Sequence, residues 1–158
     1  MRRDSAAYAI LAGGAIAGAL DIIYAITFSY AVRGTPPEKL LQFVASGLLG
    51  AAAFEGGTSA AALGLVLHFL IMFVIAAVFY VASRQLPVLT QRPVVAGIVY
   101  GIVVFAVMNF IVLPLSALPQ KVTFSPLGTS TNLLSHMFFI GVPIALAARK
   151  SLKAAPAA

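Results

Sequence analysis

The sequence predicts an all-α membrane protein: a four-transmembrane-helix bundle with both termini cytoplasmic and a short amphipathic helix at the outer interface. Three observations predict it. The chain is 61% hydrophobic and 9% charged, against roughly 25% charged in a water-soluble domain, and its mean hydropathy is +1.04. Four apolar stretches, at 8–32, 60–82, 94–113 and 132–148, each reach the ~17–25 residues that a helical crossing needs. The basic residues gather at the ends of these stretches, where they anchor against anionic headgroups and set topology. A single transmembrane domain over 1–158 uses the whole length and leaves no room for a second sizeable one.

The first stretch, Tyr8–Val32, follows Arg2-Arg3 and contains Ala17-Gly18-Ala19, a triplet with the form of a signal-peptide cleavage site. The apolar run continues past Asp21 to Val32, beyond the ~7–15 residues of a signal core, so a retained helix is expected. The loop Gly34–Thr58 holds a helix of its own, at 37–55. Pro36-Pro37 suits a first turn, and Leu40, Leu41, Phe43, Val44, Leu48 and Leu49 make it mostly apolar before Gly56-Gly57 end it. It is expected at the outer interface, as a lid or as a plain packing element. The stretches Ala60–Ala82 and Val94–Leu113 are joined by Arg84–Arg92, a link punctuated by Pro87 and Pro93 and short enough to make them antiparallel neighbours. Pro114 marks the exit of the third helix. The loop Leu115–Ser130 follows, and Thr129, Ser130 and Thr131 offer N-cap hydroxyls for the helix at 132–148. Pro143 is expected to kink or loosen that helix.

Orientation follows from the basic residues. Arg2, Arg3, Arg84, Arg92, Arg149, Lys150 and Lys153 fall on one side, and Arg33, Lys39 and Lys121 on the other. Seven against three places the first side in the cytoplasm. A weak internal repeat pairs Ala17-Gly18 with Ala96-Gly97, and Leu65–His68 with Leu133–His136. It gives two hairpins of parallel orientation and makes His68 and His136 a related pair.

Composition also excludes. The net charge of +6 is distributed over helix ends and forms no nucleic-acid-binding patch; the partner it fits is the lipid bilayer. There is no cysteine, hence no disulfide, thiolate metal site or cysteine nucleophile. No nucleophile elbow, H-E-x-x-H, P-loop or close carboxylate pair is present, so no enzyme class is indicated.

What remains is one buried-type polar residue in each stretch: Asp21, His68, Asn109 and His136. Such groups are costly inside a bilayer, where they pair with one another or work on a ligand or ion. Helical rise from the outer ends puts them at roughly 16, 14, 8 and 10 Å depth respectively, all in the outer half. Asp21 shares a face with Gly14, Ala17, Gly18 and Ala25; Asn109 follows Gly97, Gly101 and Phe105 at intervals of four. Small-residue faces of this kind admit close helix contact. Each polar residue also has a structural explanation, as a paired acid, an interhelical hydrogen bond or, for Asn109, glue between helices. Tyr24, Tyr80, Tyr100 and the phenylalanines read as packing and belt residues. Glu55 stands at the outer mouth, either simply solvated or available to a cation.

From His68 onward the sequence resembles a known family. His68-Phe69-Leu70-Ile71-Met72-Phe73, the turn at Gln85-Leu86-Pro87, the Val94–Pro114 span, Leu118-Pro119, Leu134-Ser135-His136-Met137-Phe138-Phe139 and Arg149-Lys150 run in the order of the YagU-like family. This is a family of small bacterial inner-membrane proteins whose function is not established. The resemblance covers the second half best and implies a multi-pass inner-membrane location and a four-helix shape. It supplies no catalytic residue. The family's helix-three polar position can be histidine, whereas this chain has Asn109.

Three functions fit the residues. In the first, the chain is a small transport or proton-coupled protein: Asp21 titrates, His68 and His136 relay or bind, Asn109 orients, and a homo-oligomer forms the pathway. In the second, it is a non-catalytic assembly or stress-related membrane protein whose polar layer fixes packing. The third is a redox module with a b-type haem between His68 and His136. No cofactor is required by the first two, and the sequence names no metal.

Overall fold

The computed structural model describes residues 5–120 and 123–154, and no strand occurs among them. Arg2, Arg3 and Lys121 of the charge count lie outside the described residues. Helix α1 (Ala6–Arg33) starts where the Ser5 Oγ accepts the Tyr8 amide at 3.2 Å, satisfying one of the orphan amides of a first turn. It runs unbroken through Ala17-Gly18-Ala19 and stops at Gly34. Gly34 has φ 66° and directs its amide to the Ser29 and Tyr30 carbonyls, a left-handed cap that favours glycine.

Helix α2 (Pro37–Leu49) begins with Pro37 in its first turn, and a 3-10 segment (Gly50–Phe54) continues it. Together they fill the helical stretch expected at 37–55. Helix α3 (Gly57–Gln85) is followed by the single turn α4 (Val88–Gln91) between Pro87 and Pro93. Helix α5 (Pro93–Leu115) and helix α6 (Pro126–Lys153) complete the chain. α1, α3, α5 and α6 are long and apolar enough to cross a membrane.

Two boundaries differ from the sequence reading. α6 starts at Pro126 rather than at Asn132, capped by the Ser125 Oγ on the Gly128 amide at 3.2 Å. Ser125-Pro126 is a cap followed by a first-turn proline. Thr129, Ser130 and Thr131 are therefore interior rather than caps: the Ser130 and Thr131 hydroxyls donate to the Pro126 and Leu127 carbonyls, each at 2.7 Å. Pro114 does not end α5 but lies within it. A π-helical turn, Met108–Val112, ends two residues before Pro114, and a second, His136–Gly141, ends two residues before Pro143. Proline lacks an amide hydrogen and crowds the carbonyl four residues back; a widened turn upstream absorbs that misfit.

α1 packs between α3 and α6, and α6 between α1 and α5. α5 is the most peripheral: 17% of its most apolar stretch is buried, against 44% for α6. It meets α3 chiefly through Tyr100, whose Oη donates to the Ile75 carbonyl at 2.7 Å and whose ring lies 4.9 Å from that of Phe79. The link at 84–92 thus makes α3 and α5 neighbours through side chains, while the backbones that approach closely belong to α5 and α6. A Cβ on Gly141 would collide with the Gly97 carbonyl, and one on Gly101 with the His136 carbonyl. A Cβ on Gly64 of α3 would strike the Leu41 carbonyl, so α2 lies against α3 with Gln42, Ala45 and Ser46 buried. Ile140, Ile144, Ala145 and Ala148 of α6 meet Ala9 and Ala17 of α1 and Met72, Ala76 and Phe79 of α3 in the core.

These contacts separate two glycines by outcome. Gly141→Ala overpacks a backbone contact and should destabilise by about 1–3 kcal/mol or more. Gly47→Ala places its Cβ 3.8 Å from Ser116, an ordinary contact, and should be neutral or stabilising by up to about 1 kcal/mol through helix propensity. Unfolding in detergent by heat or denaturant measures both; equal losses would contradict the close approach of α5 and α6.

Candidate functional site

The strongest polar contact between helices joins α1 to α6. The Ser135 Oγ donates to the Asp21 Oδ1 at 2.6 Å across 114 residues of sequence, and Ser135 is only 2% exposed. A hydroxyl on a carboxylate is a short, charge-assisted bond. Ser135 is followed by buried His136, which lies close enough to Asp21 to interact with its charge.

The hydrogen bonds fix the histidine tautomers. His136 Nδ1 lies 2.9 Å from the Asn132 carbonyl. A carbonyl only accepts, so neutral His136 carries its hydrogen on Nδ1 and its lone pair on Nε2. That Nε2 makes no hydrogen bond among the described residues. The edge of one ring meets the face of the other where His136 and Phe105 of α5 pack, centroids 5.6 Å apart. His68 has the opposite arrangement. Its Nε2 lies 2.9 Å from the Gly18 carbonyl of α1, so Nε2–H is the donor and Nδ1 the free lone pair. Gly18 makes this possible by close packing, since a Cβ there would sit 2.8 Å from the Phe69 ring.

The four sequence-predicted residues thus converge only in part. Asp21 meets Ser135, and His136 is the next residue on α6. His68 joins one turn away, at Gly18, three residues before Asp21 on α1. Asn109 donates to the Phe105 carbonyl of its own helix at 2.9 Å, and only the Phe105 ring links it to His136. Asp21, His68 and His136 lie about 18, 17 and 15 Å along their helices from the ends at Arg33, Gly57 and Pro126, but Asn109 only about 9 Å from Leu115. Glu55 is exposed and follows the 3-10 segment, where Lys39 Nζ donates to the Phe54 carbonyl at 3.2 Å; it belongs to the α2–α3 connection, not to the layer.

His68 belongs to the α1–α3 contact and His136 to the α5–α6 contact. Because His68 Nε2 is committed to a backbone carbonyl, the two rings do not offer a matched pair of free Nε2 atoms to a haem iron. Among the described residues no three His, Cys, Asp or Glu side chains group as metal ligands. The proposed repeat acquires a different register: Gly18 faces the helix of His68, and it is Gly101, not Gly97, that lies on the His136 backbone.

Three residues were not singled out as site groups from sequence. Ser135 is the direct partner of Asp21; its place immediately before His136 was the available signal. Tyr24, three residues after Asp21, buries an Oη with no hydrogen-bond partner, while its ring packs 5.6 Å from Phe28 and 5.9 Å from Phe139 of α6. Gln42 of α2 donates from Nε2 to the Gly57 carbonyl at 3.0 Å and leaves a buried Oε1 unpartnered. A lone amide within an apolar helix was its signal.

No family model matches the chain, and no curated protein or solved structure matches it either. The resemblance to the YagU-like family therefore rests on the residues that carry it.

Two substitutions at this contact should act in opposite directions. Ser135→Ala removes the donor from a partly buried carboxylate and should cost about 1–3 kcal/mol. Tyr24→Phe removes a buried hydroxyl that bonds nothing and should stabilise, by up to about 2 kcal/mol. Unfolding free energies of both variants in one detergent decide the matter; a loss on Tyr24→Phe would mean that its hydroxyl has a partner.

Proposed function

We propose that this chain is a multi-pass protein of the bacterial inner membrane that handles protons, as a small transport or proton-coupled protein centred on Asp21 and His136. The observation that carries the proposal is the 2.6 Å Ser135–Asp21 bond, with His136 next in sequence and near enough to interact with the carboxylate. Among the described residues Asp21 is held by a neutral donor rather than by lysine or arginine. A carboxylate locked into an ion pair resists protonation; one held by a hydroxyl can accept a proton and keep its neighbour. His136 Nε2, free of hydrogen bonds, supplies a second proton-accepting atom. Ser135 orients the carboxylate, and His68 positions α1 against α3. The Asp21 region lies at mid-depth in α1, and one four-helix protomer offers little interior. The pathway is therefore assigned to a homo-oligomer, with termini cytoplasmic as the basic residues direct and α2 at the outer face.

A structural role is the second reading, favoured by a specific observation: His68 and Asn109 each donate from the side chain to a backbone carbonyl. The two readings separate on one measurement. In proteoliposomes under an imposed pH gradient, Asp21→Asn should abolish pH-dependent flux and His136→Gln should lower it, while Asn109→Ala stays near wild type. All three should retain the helical content of the parent. Flux unchanged by Asp21→Asn, or a melting shift as the sole effect of the variants, would establish the structural reading instead.

A further inference from the structure

A second feature lies away from Asp21, at the end of the bundle that carries Arg84 and Arg92. A groove of about 300 Å³ runs between the last turns of α3, the turn α4 and the first turns of α5. Phe79, Leu89, Val99 and Val103 line it, and Arg92 is its one charged lining residue. Tyr100 also lines it, but the tyrosine Oη is spent on the Ile75 carbonyl, which leaves an apolar trough with a cationic mouth.

We propose that this groove binds one anionic phospholipid, an acyl chain lying along Phe79, Val99 and Val103 and the headgroup phosphate on Arg92. The proposal rests on α1, α3, α5 and α6 being membrane spans and is independent of any role for Asp21. Length supports it. From Arg92 to Val103 is eleven residues, about 16 Å of helix, close to half of the ~30 Å hydrocarbon core and so one leaflet deep. Charge supports an anionic over a zwitterionic headgroup. No residue after Glu55 is acidic, so Arg84 and Arg92 have no acidic side chain within their half of the chain. α4 packs against the last turns of α6, bringing Arg149, Lys150 and Lys153 to the same end. Basic residues between helices at a membrane surface recognise lipid phosphate and favour net negative lipid by about fivefold each.

The test uses the absence of tryptophan from the chain. Val103→Trp puts one fluorophore in the groove; Val74→Trp puts one on an exposed part of α3 outside it. Val103 lies eleven residues from Arg92 and Val74 eleven from Gln85, so the two fluorophores have similar depth. In reconstituted vesicles, brominated phosphatidylglycerol should outcompete brominated phosphatidylcholine as a quencher of the Val103→Trp protein about fivefold. The preference should be absent for Val74→Trp and should vanish when Arg92→Gln is added to Val103→Trp. Equal quenching by the two lipids in the groove, or a preference surviving Arg92→Gln, overturns the proposal. A measurement on the unaltered chain stands beside it. Native mass spectrometry after release from mixed phosphatidylethanolamine and phosphatidylglycerol vesicles should show one retained phosphatidylglycerol; no adduct, or both lipids equally, overturns it as well.

Discussion

The bundle depends on helix backbones approaching one another through glycine. Between apolar helices in lipid there is little hydrophobic force to spend, and association rests on close packing and interhelical hydrogen bonds. Here the two come together. Gly97 and Gly101 of α5 lie against the α6 backbone at Gly141 and His136, and Gly14 and Gly18 of α1 lie against Phe69, Met72 and Phe73 of α3. His68 reaches the Gly18 carbonyl because that carbonyl is part of such a contact. Wider spacing would leave the imidazole without its acceptor and expose a backbone oxygen whose second lone pair is now used. The glycine contacts thus position the polar residues, and the polar residues in turn fix which glycine faces which helix.

Local structure was legible from sequence where one physical signal dominated. Four apolar runs marked the four long helices, and Pro36-Pro37 with the leucines that follow marked α2. The ends were less legible, because hydropathy fades before helicity does. Residues 126–131 are polar enough to read as loop, yet Ser125-Pro126 starts a helix there, and its hydroxyls bond back onto its own carbonyls. The site was less legible. Depth arithmetic put all four polar residues in one layer, with His136 nearer Asn109 than Asp21 because the start of its helix was set six residues late, and no one-dimensional pattern indicates that Asp21 meets Ser135. A serine in a helix ordinarily bonds its own backbone, so its role here follows only from how α1 packs on α6. The repeat alignment slipped by one turn for the same reason: small residues recur every four positions, and apolar sequence does not say which recurrence touches the partner.

The two prolines tie local chemistry to the site. Pro114 and Pro143 each follow a widened turn, and Asn109 and His136 lie at the starts of those turns. Both side chains donate to the carbonyl four residues back, at 2.9 Å. The carbonyls they reach, Phe105 and Asn132, also accept a backbone amide, so each side chain adds a second bond at the turn where the helix widens. Asn109 makes no other side-chain hydrogen bond among the described residues. For His136 the bond uses Nδ1 alone.

The other ring nitrogen gives the Asp21–His136 pair its particular character. Under the proposed proton-handling role, two arrangements leave the pair without net charge, a neutral acid with a neutral imidazole or a carboxylate with an imidazolium. Both hold the same single proton above the doubly deprotonated pair, and they differ only in where it sits. Ser135 fits either state: its hydroxyl donates to the carboxylate and can equally accept from the protonated acid. A proton moving between Asp21 and His136 Nε2 therefore conserves charge inside the bundle, whereas one added or removed changes it. An acid paired with arginine is held to the carboxylate state by the neighbouring charge; a hydroxyl partner imposes no such charge, which is what the proposed role requires of Ser135.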